Sequence, residues 1–510
     1  MMKDDAQQTT SVWMATAETP TEPRLRENVR TDVCIIGAGI AGMTTAYLLT
    51  LEGRSVVVLD DGEIGGGMTG RTTAHLTNAF DDRYVEMERL HGEDGARRIA
   101  ASHSAAIDKI EEIVKSEGID CGFERLDGFL FVPPGESTKV LDDELAACHR
   151  SGLRVERVAR APIKTFDTGP ALRFSSQAQF HPLDYLTGLT RATAREGGKV
   201  FTHTHATKIE GGSDAKVEVE SGAVVSCDAI VVATNTPVND IVAIHTKQAP
   251  YTTYVIGLRV PNRSVTRALY WDTPDPYHYV RLQTDKGDPS TDILIVGGED
   301  HKTGQANDGA RRFNNLERWT RERFPQATDV EFKWSGEVME PVDGIAFIGR
   351  NPLDTDNVFI ATGDSGQGMT HGTIAGMLLT DLLQGRKNDW EELYSPSRVT
   401  LRALPEYAHE NINVAGQYAD LVTPGEIDSP EDVARGEGGV MRHGLSKIAV
   451  YRDESGRVHT LSAICKHLGC IVAWNSTEKT WDCPCHGSRY DAYGRVYQGP
   501  ANSNLEPVEE

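Results

Sequence analysis

The chain has 510 residues, 39% of them hydrophobic and 25% charged, with a formal net charge of −23. That length suggests about three folding units. The acidity argues against nucleic acid and anionic membrane surfaces as partners; it leaves a solvated acidic surface, or a docking face for a basic electron carrier.

Residues 1–31 are polar and lack the apolar core of a signal peptide and a twin arginine. They read as an extended leader on a cytoplasmic protein. Nowhere does an apolar run approach the roughly 20 residues of a membrane helix, so no transmembrane segment is expected. Residues 32–60 predict strand, glycine-rich turn, helix and strand: TDVCIIG is a buried-strand run, IAGMTTAYLLTLEG has helical spacing up to Gly53, and RSVVVLDD is a second strand. Residues 83–117 predict an amphipathic helix. HPLDYLTGLTRATAREGG predicts a helix, short strands follow it, and residues 250–300 alternate as antiparallel strands do. A second αβ stretch occupies 337–385. Residues 386–424 read as a connector with helical pieces, and from 438 onward the pattern is short strands and turns.

Gly37-x-Gly39-x-x-Gly42 follows a strand and opens a helix. The first glycine permits the tight turn, the second lets a pyrophosphate approach the backbone, and the third lets helix and strand pack closely. Ala38, Ile40 and Ala41 complete this turn, and the helix N-terminus offers free N–H groups to phosphates. Asp60, followed by Asp61, ends the next strand 18 residues past Gly42, where a carboxylate can accept hydrogen bonds from ribose hydroxyls.

A second glycine-rich segment, GGGMTGRTTAHLT (Gly65–Thr77), follows directly. Here the sequence resembles the D-amino-acid-oxidase-like FAD enzymes, which include glycine, sarcosine and gamma-glutamylputrescine oxidase-like members, over most of residues 32–385. Gly70 and Arg71 match that family's GxSGRN-type segment, with Thr72 in place of Asn. The resemblance implies that this turn, with Thr73 and Ala74, runs along the pyrophosphate toward the flavin ring. It also places Ala206 beside the adenine and Ala233 and Thr234 against the cofactor. In the closing motif ATGDSGQGMTHGTIAG, it has Gly366, Gln367, Gly368, Met369 and Thr370 cap the flavin's pyrimidine end, and Gly363 and Asp364 bind the cofactor. Arg71, not His75, aligns with the position that carries a covalent flavin in some relatives, so noncovalent FAD is expected.

WSGEVMEPVDGIAFIG (Trp334–Gly349) resembles the family's W-x-G stretch, where amino-acid oxidases carry a carboxylate-binding Arg. This chain has Val338 there, flanked by Glu337 and Glu340. A pocket without that Arg suits an amine or other cation better than an α-carboxylate, although both glutamates also suit structural salt bridges. Arg281 can bind an anionic group, Tyr279 and Tyr254 can line the ring face, and His75 can serve as base or flavin partner. Each also reads as plain strand or core.

Near the C-terminus, Cys465-x-His467 and Cys483-x-x-His486 are separated by 15 residues. Two thiolates on one iron and two imidazoles on the other make a Rieske 2Fe–2S centre; the same four residues also suit tetrahedral zinc. The flanking residues, CKHLGC, CPCHGSRYD and GPA, argue for iron and sulfide. Residues 425–510 resemble the Rieske proteins of quinol–cytochrome complexes. That resemblance implies a Cys470–Cys485 disulfide and hydrogen bonds from Ser488 and Tyr490 to the cluster sulfurs. A potential in the upper half of the range of roughly −150 to +300 mV is then expected.

The expected architecture is therefore an α/β FAD-binding Rossmann-like domain (32–80, 176–245 and 337–385) with an inserted α+β substrate domain (81–175 and 246–336). A connector (386–424) and a small all-β Rieske domain (425–510) follow. The expected function is a dehydrogenase for a small, amine-type substrate. Its partner is an external one-electron acceptor or donor, a protein or a quinone. A reductase feeding an oxygenase and a non-catalytic redox sensor are the alternatives; against the reductase, the chain holds one dinucleotide fingerprint, and FAD uses it.

Overall fold

A computed structural model describes residues 9–239 and 243–508; the first eight residues of the expected leader lie outside the described residues. In chain order its principal elements begin with α1 (Val12–Thr16), β1 (Val33–Ile36), α2 (Ile40–Leu51), β2 (Val56–Leu59), α3 (Arg83–Glu117), β3 (Glu124–Phe131), β4 (Ala171–Gln179), α4 (Pro182–Arg195), β5 (Lys199–Phe201) and β6 (Ala229–Val232). There follow β7 (Gln248–Pro261), β8 (Leu269–Asp272), β9 (His278–Thr284), β10 (Thr291–Lys302), α5 (Gly309–Arg323), β11 (Val330–Pro341), β12 (Phe347–Arg350), β13 (Val358–Thr362), α6 (Gly368–Leu383) and α7 (Leu404–Gln417). The C-terminal strands are β14 (Glu437–His443), β15 (Ser446–Arg452), β16 (Val458–Ser462), β17 (Ala473–Asn475), β18 (Thr480–Asp482), β19 (Arg489–Asp491) and β20 (Val496–Gln498).

Strands β1, β2, β6 and β13 are short Val/Ile-rich runs buried along their whole length. Such runs suit a parallel sheet covered on both faces. They form a sheet in the order β12–β13–β6–β1–β2–β5, antiparallel at the β12 edge. Helices α2 and α6 pack on each other through small residues: a Cβ on Gly372 would sit 2.5 Å from Ile40 Cγ2, and one on Gly376 2.4 Å from Thr44 Cγ2. Neither helix has a side-chain N-cap, which leaves first-turn N–H groups for a ligand.

The second large sheet runs β11–β7–β10–β9–β8–β3–β4 and then His75–Leu76. Two expected domain edges fall inside its strands. The edge at 336/337 lies within β11, which pairs with β7 from Val330 to Pro341, and the edge at 175/176 lies within β4. A hydrogen-bonded ladder does not break where a sequence motif begins, so the sheet carries the chain across both edges.

The leader is also more than an extended arm. Residues 12–16 are helical, and Trp13 is fully buried. Its indole N–H donates to the Thr72 carbonyl at 2.6 Å, and its ring stands edge-on to His181. An indole buries a large apolar area once its N–H finds a partner.

The connector is pinned at both ends. Arg398 pairs with buried Asp343 at 2.7 Å, and Glu410 on α7 meets Lys302 at 2.5 Å. Beyond it, β14–β15–β16 form one small sheet and β17–β18–β19–β20 another. Trp474, Trp481 and Tyr490 share their core with the four clustered cysteines. Among the described residues, no helix is long and apolar enough to cross a membrane.

Candidate active site and metal centre

A cavity of about 580 Å³ lies where the parallel sheet, the second large sheet and the C-terminal domain meet. The first glycine turn builds one side. Gly37 has φ +106°, and a Cβ there would lie 2.3 Å from the Ala233 carbonyl oxygen; one on Gly42 would lie 1.9 Å from the Gly37 carbonyl oxygen. The cradle therefore exists only with glycine. Asp60 braces it, accepting from the Ala38 N–H at 2.7 Å and the Gly62 N–H at 2.8 Å. Asp60, Asp61, Ala206, Ala233, Thr234 and the 363–369 turn also line the cavity. A glycine cradle, two uncapped helix N-termini and a carboxylate at the strand end fit FAD.

Several expected cofactor residues support this wall without lining it: Ala38, Gly42, Gly70, Ala74 and Thr370. Thr370 bonds back to the Gln367 carbonyl within the helix. Arg71 reaches the cavity, but its guanidinium turns away from the phosphate path. It donates to Thr9 Oγ1 at 2.9 Å and to the Ser335 carbonyl at 3.0 Å, and faces Glu478 at 3.8 Å.

The expected substrate residues separate into two groups. His75 and Tyr279 line the cavity, ring edge to ring face. His75 bonds Thr73 Oγ1 at 3.0 Å, and burial pushes its pKa down to about 3, so the imidazole is neutral. Tyr279 shares a hydrogen bond with Thr253 at 2.7 Å. Tyr254 lies on the opposite face of β7 with Ile256 and Leu258, stacked on His301 and edge-on to Phe313; it is core. Arg281 is also withdrawn. It donates to the carbonyls of Thr73, Ala74 and Phe180 and lies over the Trp13 ring, so it clamps the flavin-facing turn instead of binding an anion. Glu337 also lines the cavity, but its carboxyl is held at the C-terminal domain, where it accepts from Gln498 Nε2.

The chemistry of the open end comes largely from residues the motifs did not reveal. Asp81, Asp82 and Asp300 line the cavity beside the expected Glu340 and Asp364, with Tyr277 and Val338. Burial, helped by Asp82, pushes Asp81 up to about 7; burial pushes Asp300 and Asp364 up to about 6 and Glu340 well above its usual range. Tyr277 donates to Asp81 at 3.1 Å. Arg71 is the one Arg or Lys among the described lining residues, and its partners already occupy it. Two signals were present in the sequence: Asp81-Asp82 directly follows the flavin-facing turn, and Tyr277 is two residues from Tyr279 in an alternating strand.

The metal centre sits on the two loops of the C-terminal domain. Cys465 and Cys483 are buried and unbridged, and the rings of His467 and His486 stand 4.9 Å apart at 86°. Cys470 and Cys485 form a disulfide between the loops. Three sulfurs, Cys470, Cys483 and Cys485, lie within 4.8 Å of one another, but the disulfide leaves only Cys483 of these free to ligate. Two thiols and two imidazoles converging from two loops fit an asymmetric 2Fe–2S cluster. Tyr490 Oη lies 3.3 Å from Cys465 Sγ, and Ser488 also bonds toward that sulfur. His245, from the flavin side, packs its ring 4.6 Å from that of His467. Hydrogen bonds to sulfur favour the reduced, more negative cluster. Ser488→Ala and Tyr490→Phe are therefore each expected to lower its midpoint potential, read by redox titration, with the double variant lowest.

Fold and sites together define a flavin-dependent oxidoreductase that carries its own Rieske iron–sulfur domain. The chain belongs to the DAO family of FAD dependent oxidoreductases, whose model matches residues 32–382, and the Rieske [2Fe-2S] domain model matches residues 424–509. It is 31% identical over 503 residues to YhfW of Bacillus subtilis (strain 168), described as a Rieske 2Fe-2S iron-sulfur protein, covering 98% of this chain and 97% of that one. It is 27% identical over 390 residues to gamma-glutamylputrescine oxidoreductase of Escherichia coli (strain K12), covering 71% and 85%. The crystal structure of glycine oxidase from Geobacillus kaustophilus shares the fold at TM-score 0.59 and 18% identity, over 73% of this chain and all of that one.

Proposed function

We propose that the protein is a dehydrogenase of a small cationic amine that releases electrons singly, through its Rieske domain, to an external acceptor. The observation that carries this reading is the shared wall: Val496, Tyr497, Gln498, Gly499, Ala501 and Asn502 of the C-terminal domain line the same cavity as the FAD-binding turns. When bound, FAD takes two electrons from a C–N bond and the cluster carries one at a time. In balance, the amine loses two electrons and two protons to become an imine; either two equivalents of a one-electron carrier protein are reduced and the protons pass to solvent, or one quinone takes both electrons in single steps, with both protons, to become a quinol.

The chain's own residues select the substrate. Asp81 and Asp300, once ionised, draw an ammonium group into a cavity without a free cation, and Val338 removes the seat for an α-carboxylate. Tyr277 and Tyr279 offer ring faces to the same cation. The identity to gamma-glutamylputrescine oxidoreductase supports the same reading.

A pH profile tests the substrate class. Carboxylates with raised pKa values are neutral at low pH and ionise as it rises. The kcat/KM for a monocationic amine should therefore climb through pH 6–7, as Asp300 and Asp364 (about 6) and then Asp81 (about 7) lose their protons. Asp81→Asn should lower kcat/KM roughly tenfold, ~1.4 kcal/mol of lost attraction, and remove the upper part of the climb. Anaerobic bleaching of the flavin band by a panel of amines and amino acids is the measurement. A flat profile with preferred turnover of α-amino acids would refute the substrate class.

A further inference from the structure

Strand β11 runs between the flavin site and the cluster domain, and residues 335–337 together touch both. Ser335 Oγ donates to Glu478 on the β17–β18 turn. A Cβ on Gly336 would lie 3.3 Å from the Arg71 carbonyl oxygen, so this residue backs onto the flavin-binding turn. Glu337 accepts from Gln498, and its backbone N–H meets Met68 Sδ at 3.0 Å. On the other side lies Gly487, the neighbour of the ligand His486. A Cβ there would sit 2.9 and 3.0 Å from the two Glu337 carboxyl oxygens and 2.8 Å from Pro250 Cβ. The path from the turn at 68–71 to the cluster loop thus crosses one strand, with van der Waals or hydrogen-bond contact at each step.

The charges at this junction balance without Glu337. Arg71 and Arg489 are buried, and so are Glu478 and Asp482. Arg489 Nε bonds Asp482 at 3.0 Å, and Arg71 faces Glu478. Two cations already meet two anions. Burial pushes the Glu337 carboxyl well above its ordinary range, so it acts here as a hydrogen-bonding group and not as a third anion.

We propose that Glu337 is a positioning residue for electron transfer between the two centres: through Gln498 and Gly487 it seats the cluster loop against the strand that backs the flavin turn. The proposal rests on the route set out under Proposed function. Misplacement of reacting groups by ~1 Å can cost roughly 100-fold in rate; electron tunnelling is less steep per ångström, but it too falls exponentially as the gap between its centres widens. Losing this seat should therefore slow the internal step more than any other.

The test uses the full-length protein loaded with both cofactors. A laser flash in the presence of 5-deazariboflavin delivers electrons to the flavin, and absorbance then follows their passage to the cluster, with no substrate required. Glu337→Leu and Gln498→Leu remove the hydrogen bond at similar volume, and each should slow the flavin-to-cluster step at least about tenfold. Glu337→Gln keeps an amide in the same place and should stay within about threefold of the wild-type rate. The electron-spin signature of the reduced cluster should be the same in all four proteins, which separates a displaced cluster from a damaged one. If Glu337→Leu loses its cluster, Gln498→Leu carries the comparison. Leucine variants as fast as wild type, or a glutamine variant as slow as leucine, would overturn the role of Glu337. If the wild-type flavin never reduces the cluster, the electron route itself falls.

Discussion

A Cys483→Ser variant is expected to bind FAD yet show no Rieske electron-spin signal after dithionite. Cys483 is a fully buried thiol beside Cys465, and both its sequence neighbours in the cluster of sulfurs, Cys470 and Cys485, are committed to the disulfide. No spare thiolate is in place to substitute, and a serine hydroxyl is a poor ligand for iron–sulfide chemistry. Removing a supporting partner of a metal site typically costs 10–100-fold in affinity or activity, so losing a ligand should cost at least about 100-fold in reduction of a one-electron acceptor. The flavin cradle belongs to the parallel sheet and has its own core, so flavin absorbance should persist. Iron content, electron-spin resonance and dye reduction read the three quantities. A variant that keeps its iron and its signal would refute the ligand assignment.

Gly42→Val is expected to abolish FAD binding. The Cβ alone would lie 1.9 Å from the Gly37 carbonyl oxygen and 3.3 Å from Ile35 Cγ2. Neither the turn nor the strand behind it can retreat without opening the phosphate cradle. Overpacking of this kind costs about 3 kcal/mol or more where backbone must move. Gly53 is the control: it lies just past the C-terminal end of α2, with φ +80°, and nothing lies within 4 Å of its added Cβ. Gly53→Ala should cost about 1 kcal/mol through backbone strain alone and leave the flavin stoichiometric. Flavin-to-protein ratio and thermal unfolding distinguish the two. Retention of flavin by Gly42→Val would show that the third glycine is not needed for close packing here.

What the sequence made legible was local. The GxGxxG turn, the strand that ends in Asp60 and the Cys/His pairs on two short loops each place their chemistry within a few residues, and the fold keeps them there. The misread residues depend on what packs across the chain. Tyr254 and Tyr279 both sit in alternating strands, but alternation gives two faces without saying which one is the cavity; Thr253 and Val255 face it, and Tyr254 faces α5. Arg71 and Arg281 carry the charges of anion binders. Each is instead satisfied by carbonyls and by leader residues, Thr9 for one and Trp13 for the other. Glu337 lines the cavity as its motif implied, but its partner Gln498 is 161 residues away and had no signal in that motif. The contribution of residues 496–502 to the flavin cavity had no signal in any single segment, because it arises from docking.

The leader segment ties the flavin turn to the C-terminal domain. Thr9 meets Glu478 across 469 residues, and Thr10 pairs with Lys333. During synthesis this segment precedes all of its partners, and its seat is complete only once Glu478 has been made. Contacts of such wide sequence separation form late. The flavin turn at 70–72, which Ser11 and Trp13 brace from behind, needs only partners 59 residues away, whereas the Thr9–Glu478 contact waits for the C-terminal domain. The amino-terminal clasp thus closes in two stages, on the flavin turn first and on the iron–sulfur module last.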